Sequence, residues 1–170
     1  MGTIATVAIR ELPGLHTIDL RLAPGTSTQA VVAEALGMDL AGKPGQTTFG
    51  GSESHSLCLA PDWWIIVGSQ ETELKLAPLK DHYHFSVVDV SGQQTTIELK
   101  GRYVREVLAH LWDQDLREKI FPVASVTQGL MAKAPVIVCH IASFRYRVMV
   151  RSSFALHLWK ALVDAAEEWM

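Results

Sequence analysis

The sequence predicts an α+β protein made of two interleaved ferredoxin-like units, with antiparallel sheets and flanking helices. Three observations predict it. Residues 16–90 pass through apolar segments of two-residue and 3.6-residue period in the order β-α-β-β-α-β, the split βαβ unit. Residues 91–170 begin the same way and end on an amphipathic helix, echoing the first half in architecture but not in sequence. A chain of 170 residues also suits one compact body, or two small subdomains sharing a core. The expected division is 1–90 for the first unit and 91–170 for the second.

Each element has its own signal. Ile4, Val7 and Ile9 mark a first strand, and HTIDLRL (16–22) alternates Ile18, Leu20 and Leu22 against Thr17, Asp19 and Arg21. Pro24-Gly25 breaks that strand. Thr26 or Ser27 can cap a helix carrying Val31, Val32, Ala35 and Leu36, with Gly37 placed to end it. Residues 38–54 hold Gly42, Pro44, Gly45, Gly50 and Gly51 and read as a long loop. SLCLAPDWWIIVG (56–68) is a tight hairpin turning at Pro61-Asp62. A short helix from Ser69 to Leu79 follows, then a strand over 83–90.

In the second half, Ile97 and Leu99 mark a strand that Gly101 turns. Val104, Val107, Leu108, Leu111 and Trp112 recur at i, i+3, i+4, i+7 and i+8 on a helix. Strands are expected over 124–131 and 135–141. In FRYRVMV (144–150), Phe144, Tyr146, Val148 and Val150 alternate with Arg145, Arg147 and Met149. Ser152 or Ser153 opens a closing helix whose stripe is Ala155, Leu158, Trp159, Leu162, Val163 and Ala166.

Composition narrows the function. A net charge of −3 without a Lys/Arg run gives no general attraction to nucleic acid or anionic lipid. No apolar stretch approaches the ~18 residues of a membrane helix, and the N-terminus lacks the basic-then-apolar order of a signal peptide. Gly2 with Thr6 fits the short myristoylation pattern, but Ile4, Val7 and Ile9 read better as a strand. Two cysteines, Cys58 and Cys139, sit in apolar strands, as reduced buried residues do. A cytoplasmic protein is expected.

Chemistry-bearing patterns are sparse. GxGxxG, GxxxxGK, GxSxG, CxxC and HExxH are all absent, so phosphate-loop, serine-elbow and zinc-protease chemistry have no support. His82 and His84, two apart on an expected strand, share a face but lack an obvious third ligand. Cys139 and His140 point to opposite faces. No catalytic and no metal residues are therefore expected. Trp63 and Trp64 also point oppositely, so one enters the core. The other is exposed, or is covered by a partner or by the chain's own loop or helix. Arg145, Arg147 and Arg151 share a strand face, which is either solvated or a site for carboxylates of a partner. These five are the candidate partner-binding residues. Asp89, at the end of a strand and before Ser91-Gly92, is the nearest thing to a cofactor contact. A turn-fastening role accounts for it better, because His82 and His84 lie at odd spacing and give it no titrating neighbour on its face.

Five segments, LAPDWWIIV (59–67), HFSVVDVSGQQTTIELKG (84–101), VREVLAHLWDQDL (104–116), FPVASVTQGLMAKAPVIV (121–138) and VRSSFALHLWKALVDAAEEW (150–169), resemble in order the gamma-subunit family of bacterial heterotetrameric sarcosine oxidases. The resemblance implies a fold related to the folate-binding domain of glycine-cleavage T protein. It also implies a non-catalytic subunit of a complex that oxidises sarcosine to glycine. The partners would be the large and small catalytic subunits of that flavoprotein amine oxidase. FAD, FMN, NAD, tetrahydrofolate and zinc would be bound by those subunits and none by this chain. Relative to the family, Gly129 stands where a hydroxyl residue is expected, and Trp112 where Cys is frequent. The rival readings are a free-standing folate-binding or one-carbon-transfer protein and a regulatory binding module.

Overall fold

Two five-stranded sheets, each antiparallel throughout, organise the computed structural model, which describes residues 6–50 and 54–170. Gly2, Ile4 and Gly51, on which parts of the sequence expectation rested, lie outside the described residues. The elements are β1 (Ala8–Glu11), β2 (His16–Leu22), α1 (Ser27–Leu36), β3 (Thr47–Phe49), β4 (His55–Ala60), β5 (Trp63–Gly68), α2 (Glu71–Leu76), β6 (Phe85–Asp89), β7 (Gln94–Lys100), α3 (Val104–Leu111), β8 (Val126–Met131), β9 (Ala134–Ala142), β10 (Arg145–Arg151) and α4 (Ala155–Ala166). Short 3₁₀ turns follow α2 and flank α4.

One unit spans Gly14–Gly92, and its strands lie in the order β3-β4-β5-β2-β6. The alternation of 16–22 puts Ile18, Leu20 and Leu22 on a single face, where they meet Trp64 and Ile66 of β5, Val32 of α1 and Leu76 of α2. Each such side chain contributes ~1.5–3 kcal/mol by leaving water, so this face holds the unit together. Helix α1 stops at Gly37, whose φ of 67° is left-handed and lets its N–H reach the last turn. The expected loop over 38–54 contains β3, which pairs with β4 from Thr47↔Leu57 to Phe49↔His55. Three residues carry too little periodicity to announce such a strand. The expected strand over 83–90 also shortens. His82 closes a 3₁₀ turn at φ −118°, ψ −20°, so it does not share a strand face with His84.

The other unit combines the stretch ending at Pro13 with Gln93–Met170, in the order β1-β7-β10-β9-β8. β1 lies against β7 as β6 lies against β2, both antiparallel. The strand that would follow α4 is thus supplied by the beginning of the chain. This places β1 with the second unit and differs from the expected 1–90 and 91–170 division. Alternation in 7–11 marks a strand but carries no information about which edge it joins. The core lies between the sheet and two helices: Ile97, Leu99, Tyr146, Val148 and Val150 meet Val104, Val107 and Leu108 of α3 and Leu158, Leu162 and Ala166 of α4. Phe144, expected within the last strand, instead sits before it at φ 57°, in the turn that joins β9 to β10.

Trp112 and Gly129 are matched in shape. Trp112 ends α3 in an extended conformation and is buried, with its ring edge-on to Phe121. A Cβ at Gly129 would stand 2.8 Å from the Trp112 Nε1. The indole therefore occupies the space that a side chain at 129 would need. Gly129→Ser is expected to lower stability by about 1–3 kcal/mol through overpacking. Paired with Trp112→Cys, its cost should shrink, since the ring it strikes is gone. Chemical denaturation of the two single variants and the double variant measures this coupling.

Candidate functional site

Register builds a buried charged cluster around Glu98. β1 and β10 flank β7, and the pairing sets Glu98 directly opposite Arg10 on one side and Arg147 on the other. Arg145, two residues along β10, approaches diagonally. The Glu98 carboxylate is 1% exposed. Its Oε1 accepts from Arg10 Nη2 at 2.6 Å and Nε at 2.9 Å. Oε2 accepts from Arg145 Nε at 2.8 Å and from Arg147 Nε at 3.2 Å. Burial pushes the Glu98 pKa up, but hydrogen bonds from Arg145, Arg10 and Arg147 outweigh it and hold the group below the ordinary glutamate value. A pocket of about 330 Å³ opens beside it, lined by Ala8, Arg10, Glu98, Lys100 and Arg145.

This arrangement holds charge in place, and among the described residues it brings no paired nucleophile and base to the pocket. It also revises the arginine expectation. Arg145 and Arg147 do share a face, yet Arg147 is buried and both are bonded to Glu98 within their own sheet. Arg151, at the strand end, is exposed.

The tryptophans separate as alternation requires. Trp64 is 1% exposed and donates its indole N–H to the Ala41 carbonyl at 2.9 Å. Its assignment as a partner contact is therefore corrected: it is a core residue. Trp63 is half-buried, donates to Asp19 Oδ2 at 3.1 Å and lies under the Arg21 guanidinium, 4.3 Å from the ring centroid. Arg21 is its cross-strand neighbour, so the chain itself covers part of this ring.

An apolar groove of about 320 Å³ lies at the start of α4, lined by Glu11, Thr95, Ile97, Ala155, Leu156 and Trp159. Leu156 is 67% exposed and Phe154 is 40% exposed, and Arg151 directly precedes this helical entry. Sequence reasoning assigned Ala155 and Trp159 to the helix stripe but did not single out Leu156 or Phe154. An exposed leucine between a core stripe and a polar face leaves no periodic signature.

Asp89 fastens a turn. Its Oδ1 accepts from the Ser91 N–H at 2.8 Å and from the Ser91 hydroxyl at 2.5 Å. Those two bonds hold the Asp89 carboxyl below the usual range. Ser91 Oγ also lies 3.2 Å from His16 Nδ1 and accepts from the Thr17 N–H at 2.9 Å. His16, Glu73 and Asp89 are the group of described residues that could hold a metal ion, with one potential ligand atom from each within 4.8 Å of the others. Cys58 and Cys139 are both buried, and burial raises the Cys58 thiol.

The described residues form two helix-backed antiparallel sheets, with a carboxylate locked by arginines and an exposed apolar groove on one of them. Comparison with known proteins identifies the family. The model of the sarcosine oxidase, gamma subunit family matches residues 23–168. The chain is 28% identical over 171 residues to sarcosine oxidase subunit gamma of Corynebacterium sp. strain P-1, covering 99% of this chain and 84% of that one. A chain of the heterotetrameric sarcosine oxidase from Corynebacterium sp. U-96, in complex with pyrrole 2-carboxylate, superposes with a TM-score of 0.91 at 25% identity, covering 99% of this chain and 87% of that one. Glycine cleavage system aminomethyltransferase T from Bartonella henselae shares the fold, with a TM-score of 0.67 at 13% identity over 95% of this chain and 46% of its own. The chain belongs to the sarcosine oxidase gamma subunit family.

If the Glu98 cluster anchors the sheet as its geometry indicates, Glu98→Gln should cost about 3 kcal/mol at neutral pH, the range for breaking a buried ion pair. The pH dependence has a defined sign. Glu98 titrates lower in the folded chain than its ordinary 4.5, so its contribution is complete above that value and fades as pH falls through the folded-state pKa. The stability gap between wild type and Glu98→Gln should therefore narrow as the pH falls below 4.5. A gap that stays constant on acidification, followed by denaturant titration, would assign the loss to packing instead.

Proposed function

We propose that this chain is the gamma subunit of a heterotetrameric sarcosine oxidase and contributes no catalytic group of its own. The likeness to sarcosine oxidase gamma subunits over 99% of the chain carries this reading. In it, the chain packs on the large flavoprotein subunit. That partner and the small catalytic subunit hold FAD, FMN, NAD and tetrahydrofolate, and the complex oxidises sarcosine with the released one-carbon unit passed to folate. The chain's part is docking, which is consistent with a carboxylate engaged by arginines and with thiols enclosed in the core.

The groove at the start of α4 is the docking surface that fits this role. Its walls are Ile97, Ala155, Leu156 and Trp159, its rim carries Glu11, and Phe154 and Arg151 stand beside it. An apolar centre with an arginine at the edge is the composition of interface hot spots. No helix among the described residues is long and apolar enough to cross a membrane.

The test is co-expression of the chain with the large subunits, followed by size-exclusion chromatography monitored by flavin absorbance. Wild type should elute with flavin-containing chains. Leu156→Asp combined with Arg151→Glu should fold, by circular dichroism, yet be retained at least ~10-fold less, the effect of losing one hot spot. Undiminished retention of the variant would remove the groove from the interface. A wild-type chain that recovers no flavin-containing partner, but whose tryptophan fluorescence responds to reduced folate, would favour the free-standing folate-binding reading.

A further inference from the structure

We propose that His16, Glu73 and Asp89 form a binding site for a single divalent transition-metal ion, with Zn²⁺ the best fit. The three residues come from three elements that pack in one unit: the start of β2, the first turns of α2 and the end of β6. One ligand atom of each lies within 4.8 Å of the other two.

Proton accounting at Ser91 prepares the imidazole. A serine hydroxyl has one proton, and the 2.5 Å contact to Asp89 Oδ1 takes it. The Thr17 carbonyl, at 3.4 Å, is the more distant acceptor for that proton, so Ser91 Oγ accepts from the Thr17 N–H and from His16 Nδ1. Nδ1 is therefore the protonated nitrogen, and Nε2 keeps its lone pair. Nε2 is closed off from solvent and has no hydrogen-bond partner. A buried acceptor without a donor is costly, and beside two carboxylates a cation relieves both that deficit and their mutual repulsion. Ser91 acts as the outer partner that orients the histidine, as such groups do in known zinc sites.

The donor set selects the ion. One imidazole and two carboxylates suit Zn²⁺, whereas Mg²⁺ and Ca²⁺ favour oxygen-only shells. Three protein ligands leave a fourth position for water or for a donor from a partner. Closing from 4.8 Å to the ~3.4 Å between ligands of a tetrahedral ion needs side-chain rotation of about 1 Å. Asp89 is exposed and Glu73 only half-buried, so both are able to make it. No sequence signature marks this site: the ligands stand 57 and 16 positions apart, and none belongs to a short metal motif. The proposal stands independently of the gamma-subunit role.

Isothermal titration of the full chain, stripped with chelator, tests it with ZnCl₂ and MgCl₂ as the probes. Wild type should bind one Zn²⁺ and no Mg²⁺, with a rise in Tm on adding Zn²⁺. Glu73→Gln, an exchange of a single oxygen for an amide nitrogen, should weaken binding at least tenfold, and His16→Gln should abolish it. Should His16→Gln fail to fold, Glu73→Gln alone decides. Absence of Zn²⁺ binding at 100-fold molar excess overturns the proposal. So does binding that Glu73→Gln leaves unchanged, which would move the ion to other histidines.

Discussion

The second unit depends on one buried carboxylate. Glu98 sits in the middle of β7, enclosed, where an unpaired charge would unfold the sheet. Its partners come from both neighbouring strands, Arg10 from β1 and Arg145 and Arg147 from β10. The same contacts that neutralise it therefore also fix the register on both sides: a one-residue slip would carry each arginine to the opposite face. Apolar pairs are more forgiving of slippage than a carboxylate that must be met by three guanidinium groups. The cluster specifies pairing as much as it stabilises it.

That constraint explains the role of β1. Four residues make a weak strand, and only Ile9 among them packs toward the core. Arg10 supplies what burial does not. Without the Arg10–Glu98 bonds, β1 would have little to hold it at an edge that is far away in sequence, and β7 would become the edge of a four-stranded sheet. The second unit thus closes its sheet with the chain's first strand, and an ion pair separated by 88 residues secures it.

The local rules of the sequence were legible and the long-range ones were not. Alternation in HTIDLRL and in RYRVMV placed strands and their buried faces, and the i, i+3, i+4, i+7 spacing placed α3 and α4, because period is a property of adjacent residues. Partner choice is not. Nothing in VAIRE says that it joins β7, and nothing in the arginine-rich alternation of β10 says that a glutamate on another strand will claim Arg145 and Arg147. Trp63-Trp64 shows the same limit: alternation separated the two rings, but which was core followed only from Ala41 and Arg21 closing around them. Asp89 was legible because its partner, Ser91, is two residues away. His16 and Glu73, which come within 4.8 Å of it from distant positions in the chain, were not.

The scaffold reading and the Asp89 network are compatible because they use different physics in different units. In the second unit, charge is matched internally: the Glu98 carboxylate is met on both oxygens by guanidinium groups of its own chain. In the first, the balance is incomplete. Asp89 and Glu73 bring two acids toward a histidine whose acceptor nitrogen has nothing to accept from. The arginines fix the strands of the second unit's sheet from within the chain. An ion at the Asp89 network would join β2, α2 and β6. The imbalance therefore marks where the unit accepts help from outside the chain.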